Sequence, residues 1–280
     1  MQIDVVTTLH QAGYDFYGKR MIETFDQYWP KDINLHIYFE DVKHDLEFSD
    51  RLHKHNLHKS IPDLVDFKNK YKDNPQTNGS RMKDGSLNFA LNHFKWDAVR
   101  FSNKVFVVTE CALKLNSDYL IWLDADTHTF TTPPMDTIME MLPGPNQYCS
   151  YLGRGMNYHS ECGWVGYNLK HPLNQKFMQH WRHLYQSGEF LKLAEYHDSY
   201  VFDVVRKQFE QTEGMQNKNI NPRPDEIKKG PRHPFIASKL GTFMDHLKGK
   251  RKRFGYSGDD AEGNQHLLYW QNRKKQKNAK

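Results

Sequence analysis

Two carboxylates one residue apart, Asp124 and Asp126, close an apolar run, Tyr119-Leu-Ile-Trp-Leu123. Ionised side chains this close repel each other and are costly to desolvate, so they need a cation between them. Oxygen ligands select a hard divalent ion such as Mn²⁺ or Mg²⁺. An ion held by only a few protein groups is suited to bridging a phosphate. Asp-x-Asp is also an ordinary turn or helix cap in a chain with 34 acidic residues. The strand ahead sets this copy apart: five residues without polar alternation read as a strand buried on both faces. Its carboxyl end is where open α/β sheets place their ligands.

A second constellation lies 120 residues downstream of Asp126, in His246-Leu-Lys-Gly249-Lys-Arg-Lys252. A neutral imidazole can complete the coordination that two carboxylates begin. A glycine lets backbone N–H groups approach phosphate oxygens closely. A lysine supplies a point charge for a terminal phosphate. Taken alone, the stretch reads as a solvated basic turn. Paired with Asp124 and Asp126, it reads as the other half of a metal–diphosphate clamp.

In this order the two motifs resemble those of the nucleotide-sugar glycosyltransferases of the GT-A fold, most closely the family-8 type. The resemblance runs over residues 1–255, but only the two motifs are specific. It implies an α/β fold with a Rossmann-like mixed, mainly parallel sheet flanked by helices. It also implies a hexosyltransferase-type enzyme that moves a sugar from a nucleoside diphosphate sugar, with a UDP-sugar as the expected donor. The acceptor would be a hydroxyl of a glycan, a lipid-linked molecule or a small molecule. Carried over residue by residue, Asp124, Asp126 and His246 would hold Mn²⁺ (or Mg²⁺), and Asp124 would also touch the nucleotide. Gly249 and Lys252 would contact the diphosphate.

Weaker positions follow the same layout. Thr7 and Thr8 end the first strand, where such enzymes wrap the nucleobase; strand-end threonines need no function. Arg100 and Lys104 lie one helical turn apart and either face the diphosphate or form a solvated face. Glu161-Cys-Gly163-Trp-Val-Gly166-Tyr-Asn168 resembles the glycine-containing segment beside the donor sugar, the alternative being a plain strand and turn. Asp198 stands where the family has a sugar-contacting acid, although a carboxylate opening a helix is favourable without any role. If the sugar is inverted, a base is needed, and Asp198 and Glu161 are the catalytic candidates. Two departures leave the stereochemical course open: Ser199 stands where the family has glutamine, and Arg253-Phe254 follows Lys252 in place of Pro-Trp.

Two other classes compete. Haloacid-dehalogenase-type phosphatases also carry Asp-x-Asp after a strand. They want Thr or Val two places past the second aspartate, where this chain has His128, and they carry the motif near the N-terminus. A nucleic-acid-binding protein could use the basic stretches, but a net charge of +5 is weak for that role and no binding motif is readable, so no nucleic acid is expected. Three cysteines without Cys-x-x-Cys spacing exclude a disulfide framework and fit a reducing, cytoplasmic setting. No apolar run approaches the length of a membrane span, so membrane contact would be peripheral, through the basic tail.

Positioning these groups requires a sheet, and its elements are legible. Ile3–Thr8 is a strand, Tyr14–Trp29 carries apolar residues at helical spacing and ends before Pro30, and Ile33–Phe39 is a second strand. That β-α-β opening implies parallel pairing. Residues 41–85 are polar and read as a mainly helical insertion, with 51–58 as a solvated helix surface. Ser86–Leu115 is expected to be mostly helical and to feed the Tyr119 strand. Strands are expected near Tyr148–Leu152 and Trp164–Asn168, helices near Pro172–Ser187 and His197–Glu210, and a loop over 211–232. The division is one catalytic domain, 1–255, and a C-terminal extension, 256–280, ending in a solvated basic tail.

Overall fold

Strand β1 (Ile3–His10) is buried along most of its length, and its two neighbours explain why. It pairs in parallel with β2 (Ile33–Glu40) on one side and with β4 (Tyr119–Leu123) on the other. Between β1 and β2 the chain makes a π-helical turn, Tyr14–Gly18, and then helix α1 (Lys19–Tyr28), which ends ahead of Pro30. The computed structural model describes residues 1–90, 93–155, 158–223, 233–258 and 262–279.

The seven-stranded sheet has the order β3-β2-β1-β4-β7-β6-β8, with β3 (Leu52–Asn56), β6 (Cys149–Leu152), β7 (Glu161–Asn168) and β8 (Lys218–Asn219). Pairing is parallel from β3 through β4 and between β6 and β8, whereas β7 is antiparallel to both β4 and β6. The sheet is therefore mixed and mainly parallel, as expected.

The absence of alternation in Tyr119–Leu123 follows from two cores. Leu120 and Trp122 pack on one face with α2 (Pro62–Tyr71), α3 (Ala98–Lys114), α5 (Asn174–Ser187) and α6 (Asp198–Glu213). Ile121 and Leu123 pack on the other with α1, α4 (Met135–Met141), Phe235 to Met244 and Trp270. An apolar residue is required at every position of a strand covered on both sides.

Two expectations are corrected. The polar segment beginning at 41 contains β3, an edge strand in register with β2 and with half of its side chains facing solvent, so its polar sequence hides a strand. The long helix begins only at Ala98; of the residues ahead of it, 86–90 lie in turns and Phe94–Trp96 form one short helical turn, while 91 and 92 lie outside the described residues. The C-terminal extension is anchored ahead of its basic tail: α7 (Leu268–Asn278) buries Trp270, whose Nε1 donates to Gly241 O at 3.0 Å, and Tyr269 stacks on Phe130 at 3.8 Å between ring centres, while Lys274 and Lys275 are exposed. Of the expected loop at 211–232, residues 211–213 belong to α6 and 218–219 to β8, while 224–232 lie outside the described residues. No helix among the described residues is long and apolar enough to cross a membrane.

Candidate active site

A second, two-stranded sheet joins the distant halves of the site. After β4 the chain turns through Asp124–Thr127, closed by Thr127 N and Oγ1 donating to Asp124 O at 3.1 and 2.8 Å. It enters β5 (Thr127–Thr129), which pairs antiparallel with β9 (Met244–His246), Thr127 opposite His246. Leu247 N donates to Asp126 O at 2.8 Å. This ladder carries His246 to the end of β4, and its Nε2 lies 3.0 Å from Asp126 Oδ1 and 3.5 Å from Asp124 Oδ2.

The other carboxylate oxygens are occupied. Lys252 Nζ pairs with Asp126 Oδ2 at 2.9 Å. Asp124 Oδ1 accepts from Trp122 Nε1 at 2.6 Å and from Lys104 Nζ at 3.3 Å. Asp124 Oδ2, Asp126 Oδ1 and His246 Nε2 thus remain facing one another, and an O,O,N donor set with free sides fits Mn²⁺ or Mg²⁺. Burial works against a charge on Asp126, but His246 and Lys252 prevail and hold its carboxyl well below the usual carboxylate range.

Lys104 does not face open solvent. It is buried, donating to Cys162 O at 2.6 Å and Asp198 Oδ2 at 2.7 Å. Burial would strip its proton, yet Asp124 and Asp198 outweigh that and raise its pKa. Burial likewise opposes the charge on Asp198, and Lys104 followed by His197 reverses the effect and lowers its pKa. One ammonium therefore ties the helix start at Asp198 to the end of β4.

Glu161 sits deeper than a base that must meet an acceptor. Its side chain is fully buried, and Arg154 Nη2 (2.7 Å), Lys248 Nζ and the Gly163 N–H (3.0 Å) hold its two oxygens. Its Oε1 lies 3.4 Å from His246 Nδ1, on the side of the ring opposite the nitrogen that faces Asp124 and Asp126. Burial is again the largest influence and is overcome, by Lys248 and then His233, leaving the carboxyl well below its ordinary value. His233 is buried 3.3 Å from Glu161 Oε2, outside hydrogen-bond geometry, and burial lowers its pKa to about 3.

The glycines serve the protein's own side chains. A Cβ at residue 163 would lie 2.4 Å from His246 Cε1, and one at 166 would lie 2.6 Å from Ser150 Oγ. Gly249 has φ +56°, a left-handed turn that lets the chain double back and bring Lys252 to Asp126. Thr7 and Thr8 follow Val6, the partner of Trp122, and so reach the same sheet edge as Asp124. Thr8 Oγ1 donates to Tyr38 O at 2.9 Å, and Thr7 Oγ1 is buried without a hydrogen-bond partner among the described residues. Arg100 stands apart on the exposed side of α3, its guanidinium over the Phe101 ring.

Sequence reasoning missed Tyr17, Trp122, Arg154, His233 and Lys248. Lys248 and Trp122 lie inside or beside the motifs and were within reach. Tyr17, whose ring lies 4.5 Å beneath Lys252 Nζ, and Arg154 and His233 carry no local signal.

No protein-family model matches the chain, and no curated protein matches it. Among solved structures, a glycosyltransferase involved in the glycosylation of the major capsid of PBCV-1 aligns with a TM-score of 0.50 at 11% identity, over 91% of this chain and 98% of that one. Mouse xyloside xylosyltransferase 1, in its apo form, gives 0.48 at 10% identity over 78% of this chain and 85% of its own. The apo-form glycosyltransferase GlyE of Streptococcus pneumoniae TIGR4 gives 0.41 at 12% identity, over 78% of this chain and 45% of the longer GlyE chain. The likeness to the capsid glycosyltransferase is one of fold, a GT-A-like mixed sheet with helices on both faces.

Proposed function

We propose that this protein is a metal-dependent glycosyltransferase, moving a sugar from a nucleoside diphosphate sugar, a UDP-sugar foremost, to an acceptor hydroxyl. The observation that carries the reading is the convergence of Asp124, Asp126 and His246 at the end of β4, with Lys252 on the same carboxylate. Asp124, Asp126 and His246 would hold Mn²⁺ or Mg²⁺. Such an ion supplies Lewis-acid stabilisation of charge on a leaving diphosphate.

The chain's own residues divide the remaining work. Lys252 and Lys248, paired with Asp126 and Glu161, put positive charge within reach of phosphate oxygens at the metal-facing rim. Asp198, fixed and kept ionised by Lys104, accepts a hydrogen bond from a donor-sugar hydroxyl and orients the ring. Thr7 and Thr8 bring backbone to the nucleobase side of the same edge. Glu161 is a positioning residue: its negative charge, 3.4 Å from His246 Nδ1 and outside hydrogen-bond geometry, favours the tautomer protonated on Nδ1, which leaves Nε2 free for a metal. Asp198 then remains the only carboxylate of the two candidates with an exposed side, and it is the base if the sugar is inverted.

The test is hydrolysis and transfer from a panel of nucleoside diphosphate sugars with Mn²⁺, comparing wild type with Asp126→Asn. Activity should require the ion and fall by two orders of magnitude or more in the variant, about the loss seen when a preorganised charge-stabilising group is removed. Activity that survives both chelation and Asp126→Asn would end the proposal.

A further inference from the structure

Outside the diphosphate clamp, a second set of metal-ligating side chains converges. Glu195 and His197 flank Tyr196 in extended chain leading into α6, where His197 has φ −76° and ψ 157°. In extended backbone, residues two apart share a face. Tyr196 accordingly packs into the main core, while Glu195 and His197 share the opposite side of the chain, where His197 is buried too. His197 Nε2 lies 2.9 Å from Glu195 Oε2, and His159 Nε2, from the segment before β7, lies 3.5 Å from the same oxygen. All three ligand atoms lie within 4.8 Å of one another.

The surroundings resemble a metal pocket more than a simple hydrogen-bond pair. Phe94, Phe101 and Tyr200 pack their rings around His197, fixing its orientation, and Tyr200 meets His159 edge-on at 5.0 Å. Lys95 Nζ takes the other carboxylate oxygen at 2.5 Å, leaving Oε2 as a monodentate ligand. His197 is buried, whereas the His159 side chain is 36% exposed and opens a path from solvent. For metal–ligand bonds of about 2.0–2.1 Å, tetrahedral ligands stand about 3.3 Å apart, and the two measured separations bracket that spacing.

The donor set decides the ion. Two imidazoles and one carboxylate, the latter already partly balanced by Lys95, lack the oxygen count and negative charge that Mg²⁺ or Mn²⁺ prefers. They match Zn²⁺, which takes nitrogen readily and accepts three protein ligands plus water. We propose that His159, Glu195 and His197 form a second metal site, selective for Zn²⁺ over Mn²⁺ and Mg²⁺ and separate from the Asp124–Asp126–His246 site. Because His197 directly precedes Asp198, an ion here braces the start of α6. The inference does not depend on the glycosyltransferase reading.

The test uses the full chain stripped of metal and titrated with Zn²⁺ alone by calorimetry. An Asp126→Asn background weakens binding at the first site. In that background one Zn²⁺ should bind, and His159→Ala or Glu195→Gln should weaken it by at least about 10-fold, with far-UV circular dichroism unchanged. Unchanged Zn²⁺ affinity in both variants, or binding no tighter than that of Mn²⁺, overturns the site. Wild type supplies a readout independent of any variant: Zn²⁺, but not Mg²⁺, should shield His159 from diethylpyrocarbonate, as read by peptide mass spectrometry. Equal modification with and without Zn²⁺ also overturns it.

Discussion

Substituting Gly163 by alanine tests whether the site depends on the seat of a single imidazole. The added Cβ would lie 2.4 Å from His246 Cε1 and 2.6 Å from Nδ1, where ordinary contact begins at 3.4 Å, so relieving the contact fully takes a displacement of 1.0 Å between ring and strand. It has little room to do so: His246 is fully buried, with the His233 and Phe235 rings each 5.1 Å away between centres. A shift of that size breaks the 3.0 Å relation between His246 Nε2 and Asp126 Oδ1. Misplacement of about 1 Å costs on the order of 10²-fold in catalysis, and disturbance around a metal ligand costs about 10- to 100-fold in affinity. Overpacking alone costs about 1–3 kcal/mol of stability. Gly166→Ala separates the two effects, because on the same strand its Cβ would crowd Ser150 Oγ (2.6 Å) and Leu142 Cδ2 (3.1 Å), away from His246. Both variants should lose comparable stability in urea titrations, but only Gly163→Ala should lose Mn²⁺ affinity, measured by the free-ion paramagnetic resonance signal. Wild-type Mn²⁺ affinity in Gly163→Ala, or an equal loss in Gly166→Ala, refutes the assignment of His246.

Lys104→Met removes the buried cation shared by Asp124 and Asp198 and should cost up to about 3–5 kcal/mol, since it strands two partly buried carboxylates; a urea-derived loss under 1 kcal/mol contradicts the tie. Trp270→Ala should cost about 3–5 kcal/mol if α7 belongs to the core, and calorimetry showing an unchanged midpoint would make the helix an appendage. Burial, then the neighbouring His36 and His53, lowers the His55 pKa from its ordinary 6.5 to about 4. Between these values the unfolded chain binds a proton that the folded chain refuses, so stability is full above pH 6.5 and declines as pH falls toward 4. His55→Asn should flatten the urea midpoint across that window, and an identical slope in the variant would assign the pH dependence elsewhere.

Local pattern carried a good part of the molecule. Tyr119–Leu123 is a strand with the bounds its composition implies, because an interior strand covered by helices on both faces needs an apolar residue at every position. The same logic located β1, β2 and the apolar face of α1, and it placed Asp124 and Asp126 at the sheet edge. It failed for Leu52–Asn56, an edge strand whose solvent-facing side chains need no apolar pattern, and for α7, which Trp270 and Tyr269 anchor.

The site divides in the same way. Asp124, Asp126, His246 and Lys252 could be named from residue type and spacing, since the chemistry of a cation and a diphosphate limits which side chains serve. Their meeting was decided by the tertiary structure, through β5 pairing with β9 and Gly163 making room for the imidazole. So was the place of Glu161 behind His246 rather than before an acceptor, and the burial of Lys104 between two aspartates. The physical reason is one of range: burial imprints its period on neighbouring residues, whereas a contact across 120 positions arises from strand register and packing and leaves no mark in the local sequence.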